Sequence, residues 1–144
     1  MATINRKDIR TSLKAALTTA VASAKLVERY LADPKGKSPA ITIASRGTGG
    51  AGLTSDGDAL EHKFFIHILV VKGGGTGWTN ENAEDALDTV RQLIDDYIEA
   101  QTLIVIGQTY NLYRDGNSEI VPVTIASEQY FDEPIPIVVK SFYP

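Results

Sequence analysis

Phe64-Phe65-Ile66-His67-Ile68-Leu69-Val70-Val71 is the stretch on which the fold turns. Successive side chains of a strand point to opposite faces. Phe64, Ile66, Ile68 and Val70 therefore share one face, and Phe65, His67, Leu69 and Val71 the other. Both sets are apolar apart from His67, which is the pattern of a strand covered on both sides in the middle of a sheet. The run is also far shorter than the roughly 20 residues a helix needs to cross a bilayer, so the sequence predicts a globular chain that does not span a membrane.

On the N-terminal side, Ala40 to Ser45 alternates Ile41 and Ile43 with Thr42 and Ala44, the period of a second strand. Between the two runs, Arg46 to Glu61 carries Gly47, Gly49, Gly50, Gly52 and Gly57 among polar residues, and it reads as a long loop. Loops beyond about 12–15 residues in a compact domain are usually functional or disordered, so this one is expected either to order against a partner or to stay mobile. On the C-terminal side the chain breaks at Gly73-Gly74-Gly75-Thr76-Gly77 and enters a helix after Trp78, with Thr79 or Asn80 as its cap. Ala83, Ala86, Leu87, Val90, Leu93, Ile94, Tyr97 and Ile98 form that helix's apolar stripe. Glu81, Glu84 and Asp85 favour the positive end of its dipole.

Near the start, Ile9, Leu13, Ala16, Leu17, Ala20, Val21, Ala24, Val27, Tyr30 and Leu31 recur at steps of three and four. This spacing predicts one long amphipathic helix that stops near Asp33-Pro34-Lys35-Gly36, because proline cannot continue the hydrogen-bond ladder. After the second helix, Thr102 to Ile106, Tyr110 to Tyr113, Glu119 to Ala126 and Ile135 to Phe142 read as strands, with Asp115-Gly116-Asn117 as a hairpin signal between two of them. The expected fold is a single α+β domain over 1–144. It has a mainly antiparallel sheet packed against two long amphipathic helices, in the order α-β-β-α-β-β-β-β.

At 144 residues, with 43% hydrophobic and 22% charged, the chain is large enough to bury a core without disulfides or metals. It has 0 cysteines, which removes disulfides, thiolate nucleophiles and cysteine metal sites together and fits a reducing cytoplasm. The N-terminus lacks the apolar core of a signal peptide. A net charge of −4 is the wrong sign for a chain that binds phosphate backbones. That average hides a segregation. From Arg6 to Leu31, Arg6, Lys7, Arg10, Lys14, Lys25 and Arg29 outnumber Asp8 and Glu28. From Glu81 to Glu99, Glu81, Glu84, Asp85, Asp88, Asp95, Asp96 and Glu99 face Arg91 alone. The helices are either two solvated faces of different charge or the halves of an electrostatic contact between subunits.

The chemistry-bearing residues do not fall into a catalytic pattern. Lys72 to Gly77 looks like a phosphate loop, but Trp78-Thr79 stands where a Walker loop needs Lys-Ser/Thr, and Trp78 also occupies a dinucleotide fingerprint's last small position. His62 and His67 are an odd number of positions apart, so on one strand they point to opposite faces and do not share a metal. No oriented serine accompanies either histidine. No cofactor, metal or catalytic residue is expected, and the chain reads as a non-enzyme. Aromatics anchor protein interfaces, and Trp78, Tyr110, Tyr113, Tyr130, Phe131, Phe142 and Tyr143 divide between core and contact. The candidate interface residues are Arg10, Lys14, Arg46, Asp56, Asp58, Trp78, Asp85, Asp88, Tyr113 and Phe142.

Four segments in this order resemble the tail terminator (tail-completion, minor tail) proteins of long-tailed bacteriophages. They are Ile4-Asn5-Arg6-Lys7-Asp8-Ile9-Arg10 running into a long helix, the segment Ala40 to Val71, the acidic helix opening Asn82-Ala83-Glu84-Asp85-Ala86-Leu87-Asp88, and the closing strands through Pro136 to Phe142. The resemblance covers most of the chain without a diagnostic motif. It implies a homo-hexameric ring at the head-proximal end of the virion's tail, assembled in the host cytoplasm. Such a ring caps the tail tube protein, stops its polymerisation and offers a surface to the neck and connector proteins, with DNA passing through it but not specifically bound. Contacts that close on themselves leave no growing end, which suits a stopper. A head–tail connector or neck (head-completion) protein is the nearest alternative. A small ligand-binding regulatory domain is another, and it requires an apolar pocket between helices and sheet.

Overall fold

The computed structural model describes residues 4–54, 57–72 and 80–142, and their side chains except at 49–59, 80–81 and 142. The chain is α+β, as the patterning predicts. Its elements are α1 (Arg6–Ala20), β1 (Leu26–Glu28), β2 (Ala40–Thr54), β3 (Gly57–Val71), α2 (Asn80–Ala100), β4 (Ile104–Val105), β5 (Gln108–Thr109), β6 (Asn111–Arg114), β7 (Val121–Ile125) and β8 (Glu128–Phe142).

β3 lies at the centre, antiparallel to β2 on one side and to β8 on the other, in the order β1-β2-β3-β8-β6, with β7 also on β8. Its even-numbered side chains Phe64, Ile66, Ile68 and Val70 join Ile41, Ile43, Ile135, Ile137 and Val139 in the main core. The two helices close that core from above. α1 contributes Ile9, Leu13, Leu17 and the following Val21 at steps of four, and α2 contributes Ala83, Leu87, Val90, Ile94 and Ile98. The odd-numbered side chains face away from the helices. There Leu69 and Val71 pack with Ala40 and Tyr130 in a second, smaller cluster. Residues 31–38 cross this face and are tied to it by hydrogen bonds from the Gly36 N–H to the Tyr130 hydroxyl (2.9 Å) and from the Val71 N–H to the Ser38 hydroxyl (3.1 Å).

α1 is shorter than its periodicity predicts. Asn5 opens it with a capping box, its side chain accepting from the Asp8 N–H (2.9 Å) while Asp8 accepts from the Asn5 N–H (3.2 Å). The helix ends at Ala20, and Leu26–Glu28 forms a strand parallel to Ala40–Thr42. The three-and-four spacing runs on through Val27 to Leu31, but the β-branched Val27 suits a strand, and pairing with an adjacent strand outweighs the local helical preference.

The glycine-rich stretch 46–61 is not a loop. β2 and β3 pair out to Thr54 and Gly57, so the stretch forms the outer half of a long hairpin. Register shifts between Ser45 and Gly47 and between Gly50 and Leu53 absorb extra residues as bulges, with Gly47 at φ 138. Glycine weakens a strand but does not forbid it, and it marks bulges in particular. The strand-to-helix turn 73–77 and the helix-capping position at Thr79 lie outside the described residues.

Asp115-Gly116-Asn117 is a bend and not a hairpin between its flanking strands. β6 and β7 both pair with β8, opposite Ile137–Lys140 and Glu128–Asp132 respectively, so 111–125 is one interrupted run along a single edge. The hairpin turn sits instead at Ala126 (φ 50) and Ser127 (φ 71), between Ile125 and its partner Glu128. Two central residues with positive φ define a type I′ turn, which normally takes asparagine and glycine. Nothing in their side chains announces it. A small β4–β5 hairpin turns in the same way on Ile106 (φ 49) and Gly107 (φ 77).

Candidate assembly interface

The two flanks of the molecule differ. α1 packs over β1 and β2, while α2 packs over β3 and β6. One flank is therefore the basic helix above β2, and the other is the acidic helix above the β6–β7 run. β1 covers β2 only at Ala40, Ile41 and Thr42. Among the described residues no strand pairs with β2 beyond Thr42 on the side away from β3, so the backbone from 43 to 54 presents an open edge. Such edges are templates for another chain, and bulges of the kind seen here restrict which chain can pair.

Of the candidate residues, Arg10 and Arg46 are rooted by this edge on opposite faces of the sheet, and the Arg46 guanidinium reaches away from the edge to Asp115. The Arg10 guanidinium donates to the Ser45 hydroxyl of β2. Arg46, the extra residue of the first bulge, lies on the face away from the helices. It passes over the Phe65 ring (4.7 Å to the centroid) and donates to Asp115 at 3.0 Å. Lys14 stands behind them, 3.6 Å from Glu28. Asp85 and Asp88 are exposed on α2, and no hydrogen bond or ion pair joins their side chains to Arg10, Lys14 or Arg46. Tyr113, 42% exposed, lies on β6 with the Lys140 ammonium 5.6 Å from its ring centroid. Asp56 and Trp78 lie outside the described residues, as do the side chains of Asp58 and Phe142. The backbones of these last two pair with Leu53 and Ala59.

An internal polar network, which the sequence does not reveal, closes the acidic flank. Glu133 of β8 is only 7% exposed and faces the helices, where it accepts from Arg91 of α2 and from the Ser118 hydroxyl (2.6 Å). Arg91 also donates to Asp95 (3.1 Å), which accepts in turn from Arg114 of β6 (2.8 Å). α2, the 115–120 link, β6 and β8 are thereby joined through charge-assisted bonds, the stronger kind. The acidic count of α2 is thus offset at its C-terminal half, and its free negative charge is concentrated around Glu84, Asp85 and Asp88.

The histidines fall on opposite faces, as their spacing requires. His62, on the helix side, contacts the Thr48 hydroxyl (3.3 Å) and the Ser141 hydroxyl (2.9 Å), and so bridges β2, β3 and β8 at the foot of the outer hairpin. Burial, with the Arg6 charge adding to it, lowers its pKa. His67, on the other face, is held by Asp132, 3.0 Å from its Nδ1. Burial pushes the Tyr97 phenol up to about 12, and its hydroxyl has no hydrogen-bond partner among the described residues. The described residues contain no cluster of three or more His, Asp or Glu side chains placed to hold a metal, and no helix long and apolar enough to cross a membrane.

No family model matches the sequence, and no curated protein matches it. Several solved structures match the chain; one of them aligns over 99% of both chains, at 12% identity and a TM-score of 0.47.

Proposed function

We propose that this chain is a ring-forming assembly protein of the phage tail terminator kind, which caps the tail tube, ends its growth and offers a surface for head attachment. The observation that carries the reading is the unlikeness of the two flanks. Arg10, Lys14 and the open edge of β2 lie on one side, and Asp85 and Asp88 lie on the helix of the other. A contact between two unlike surfaces runs head to tail, and such contacts close into a ring when the rotation per subunit allows it. Opposite charges across the contact favour the correct register over flank-to-like-flank pairing. The resemblance of the four sequence segments to the tail terminators supports this reading of the ring.

Removing the gene from its phage and imaging the lysate tests the proposal. The expected particles are overlong or ragged tails without heads, returned to normal length by the purified chain. Normal-length tails beside empty or leaking heads would move the chain to the neck, and intact virions would end the structural reading.

A further inference from the structure

The sheet face turned away from the helices is not smooth. Where residues 31–33 cross it, a cavity of about 390 Å³ lies between that segment, β2, β3, β7 and β8. Leu31, Leu69, Val123 and Ile125 form apolar walls, and Thr42, His67, Asp132 and Asp33 supply the polar groups. This size and this mix of apolar wall with a few convergent polar groups characterise a small-molecule site.

The polar end is built. Asp132 is 8% exposed, and both of its oxygens lie within 3.1 Å of the His67 Nδ1. A carboxylate only accepts, so Nδ1 carries the hydrogen and the imidazole is fixed in one orientation. Thr42, cross-strand neighbour of His67, is 1% exposed, and its hydroxyl has no partner among the described residues. A buried hydroxyl without a partner has lost its water and gained nothing in return, a deficit that a ligand bonding to it would make good. Asp33 stands at the rim and accepts from the Lys35 N–H (2.9 Å). With two carboxylates against one imidazole, the lining is negative whether or not His67 carries its second proton. The neighbouring hollow beyond residues 32–33, which Lys35 and Lys37 line, is larger at about 440 Å³, but Glu28, Asp33, Lys35 and Lys37 there are all at least partly exposed.

We propose that this cavity binds a primary amine carrying a small apolar group, with the ammonium between Asp132 and Asp33, a hydrogen bond to Thr42, and the apolar group against Leu69, Val123 and Ile125. The site lies on a different face from the helices and does not depend on ring formation.

2-Phenylethylamine is the probe, titrated into the full chain while the methyl resonances of Leu69, Val123 and Ile125 are followed by NMR. Saturable shifts are expected in the millimolar range usual for so small a ligand. 2-Phenylethanol should bind at least about tenfold more weakly, having lost a charge-assisted hydrogen bond, and phenylacetate should not bind. Asp132→Asn should weaken the amine by a similar factor. Because that residue is nearly buried, Ile125→Trp serves as a second variant: it fills the cavity from a partly exposed strand, and in the folded variant the shifts at Leu69 and Val123 should vanish. Absence of saturable shifts in the wild type, equal binding of the alcohol or the acid, or unchanged binding in folded Ile125→Trp would each overturn the site.

Discussion

The two edges of the sheet are finished in opposite ways. Along β8, β6 and β7 line the strand, and Arg91, Ser118 and Glu133 fasten them to α2 from within. Along β2, β1 covers three residues and leaves the rest of a 15-residue strand without a neighbour on that side among the described residues. A chain that only had to stay folded would have reason to blunt both edges. Pinning one flank to α2 through buried ion pairs, while most of a 15-residue strand stays unpaired on the other and only its bulges blunt it, suits a molecule whose β2 edge is completed by another subunit.

The largest effect is expected from breaking the flank pinned to α2. Arg91→Ala leaves Glu133 buried without its cation, and loss of a partner from a buried pair costs about 3 kcal/mol. Urea denaturation should show that loss as a lower midpoint. On the open edge, Gly50→Lys places a charge beside the unpaired backbone, the device by which edge strands block pairing, and should weaken self-association. Sedimentation velocity across a concentration series reads this directly. Between the flanks, Lys14→Glu and Asp88→Lys should each weaken association by up to about fivefold, the scale of exposed ion pairs. The double swap should restore most of it, and additive losses would remove the helix-to-helix contact from the account.

The β7–β8 hairpin of the pinned flank can also be stabilised. Ala126→Asn with Ser127→Gly places the residues a type I′ turn prefers at two positive-φ positions, and a gain of about 1 kcal/mol in unfolding free energy is expected. The smallest effect concerns His62, which ties the open hairpin to β8. Its folded pKa is depressed, so the unfolded chain takes up the proton first as pH falls. The contribution of His62 is therefore full above the unfolded value near 6.5 and is lost as pH falls toward the folded value. His62→Gln should flatten stability over that window while the wild type declines.

How these edges arise was only half legible. Both helices and the central strand follow from periodicity, because Phe64 to Val71 and the α2 stripe have burial patterns that one pairing geometry satisfies. The open edge was hidden by its glycines: 46–61 looks too flexible to pair, and only the register against Glu61, His62 and Lys63 shows that it does. β1 was masked by a helical rhythm that continues past Ala20, since residues at steps of three and four also occur by accident in an alanine-rich stretch. The I′ turn at Ala126-Ser127 carries no asparagine or glycine, so Asp115-Gly116 attracted the assignment. Arg91, Ser118 and Glu133 are scattered over 42 positions, and no local pattern unites them. Arg46 could be named from sequence, but its reach across Phe65 to Asp115 depends on a bulge that only the paired backbone reveals.

The central claim is that the outer edge of β2 is where one copy meets the next. Hydrogen exchange on the wild-type chain, at concentrations below and above assembly, tests it amide by amide. New protection is expected over 43–54 on assembly, with 121–125 and 111–114 on the opposite flank protected in the same step, and the central amides of β3 unchanged. An assembled particle whose 43–54 amides exchange as fast as in the dilute chain would contradict it.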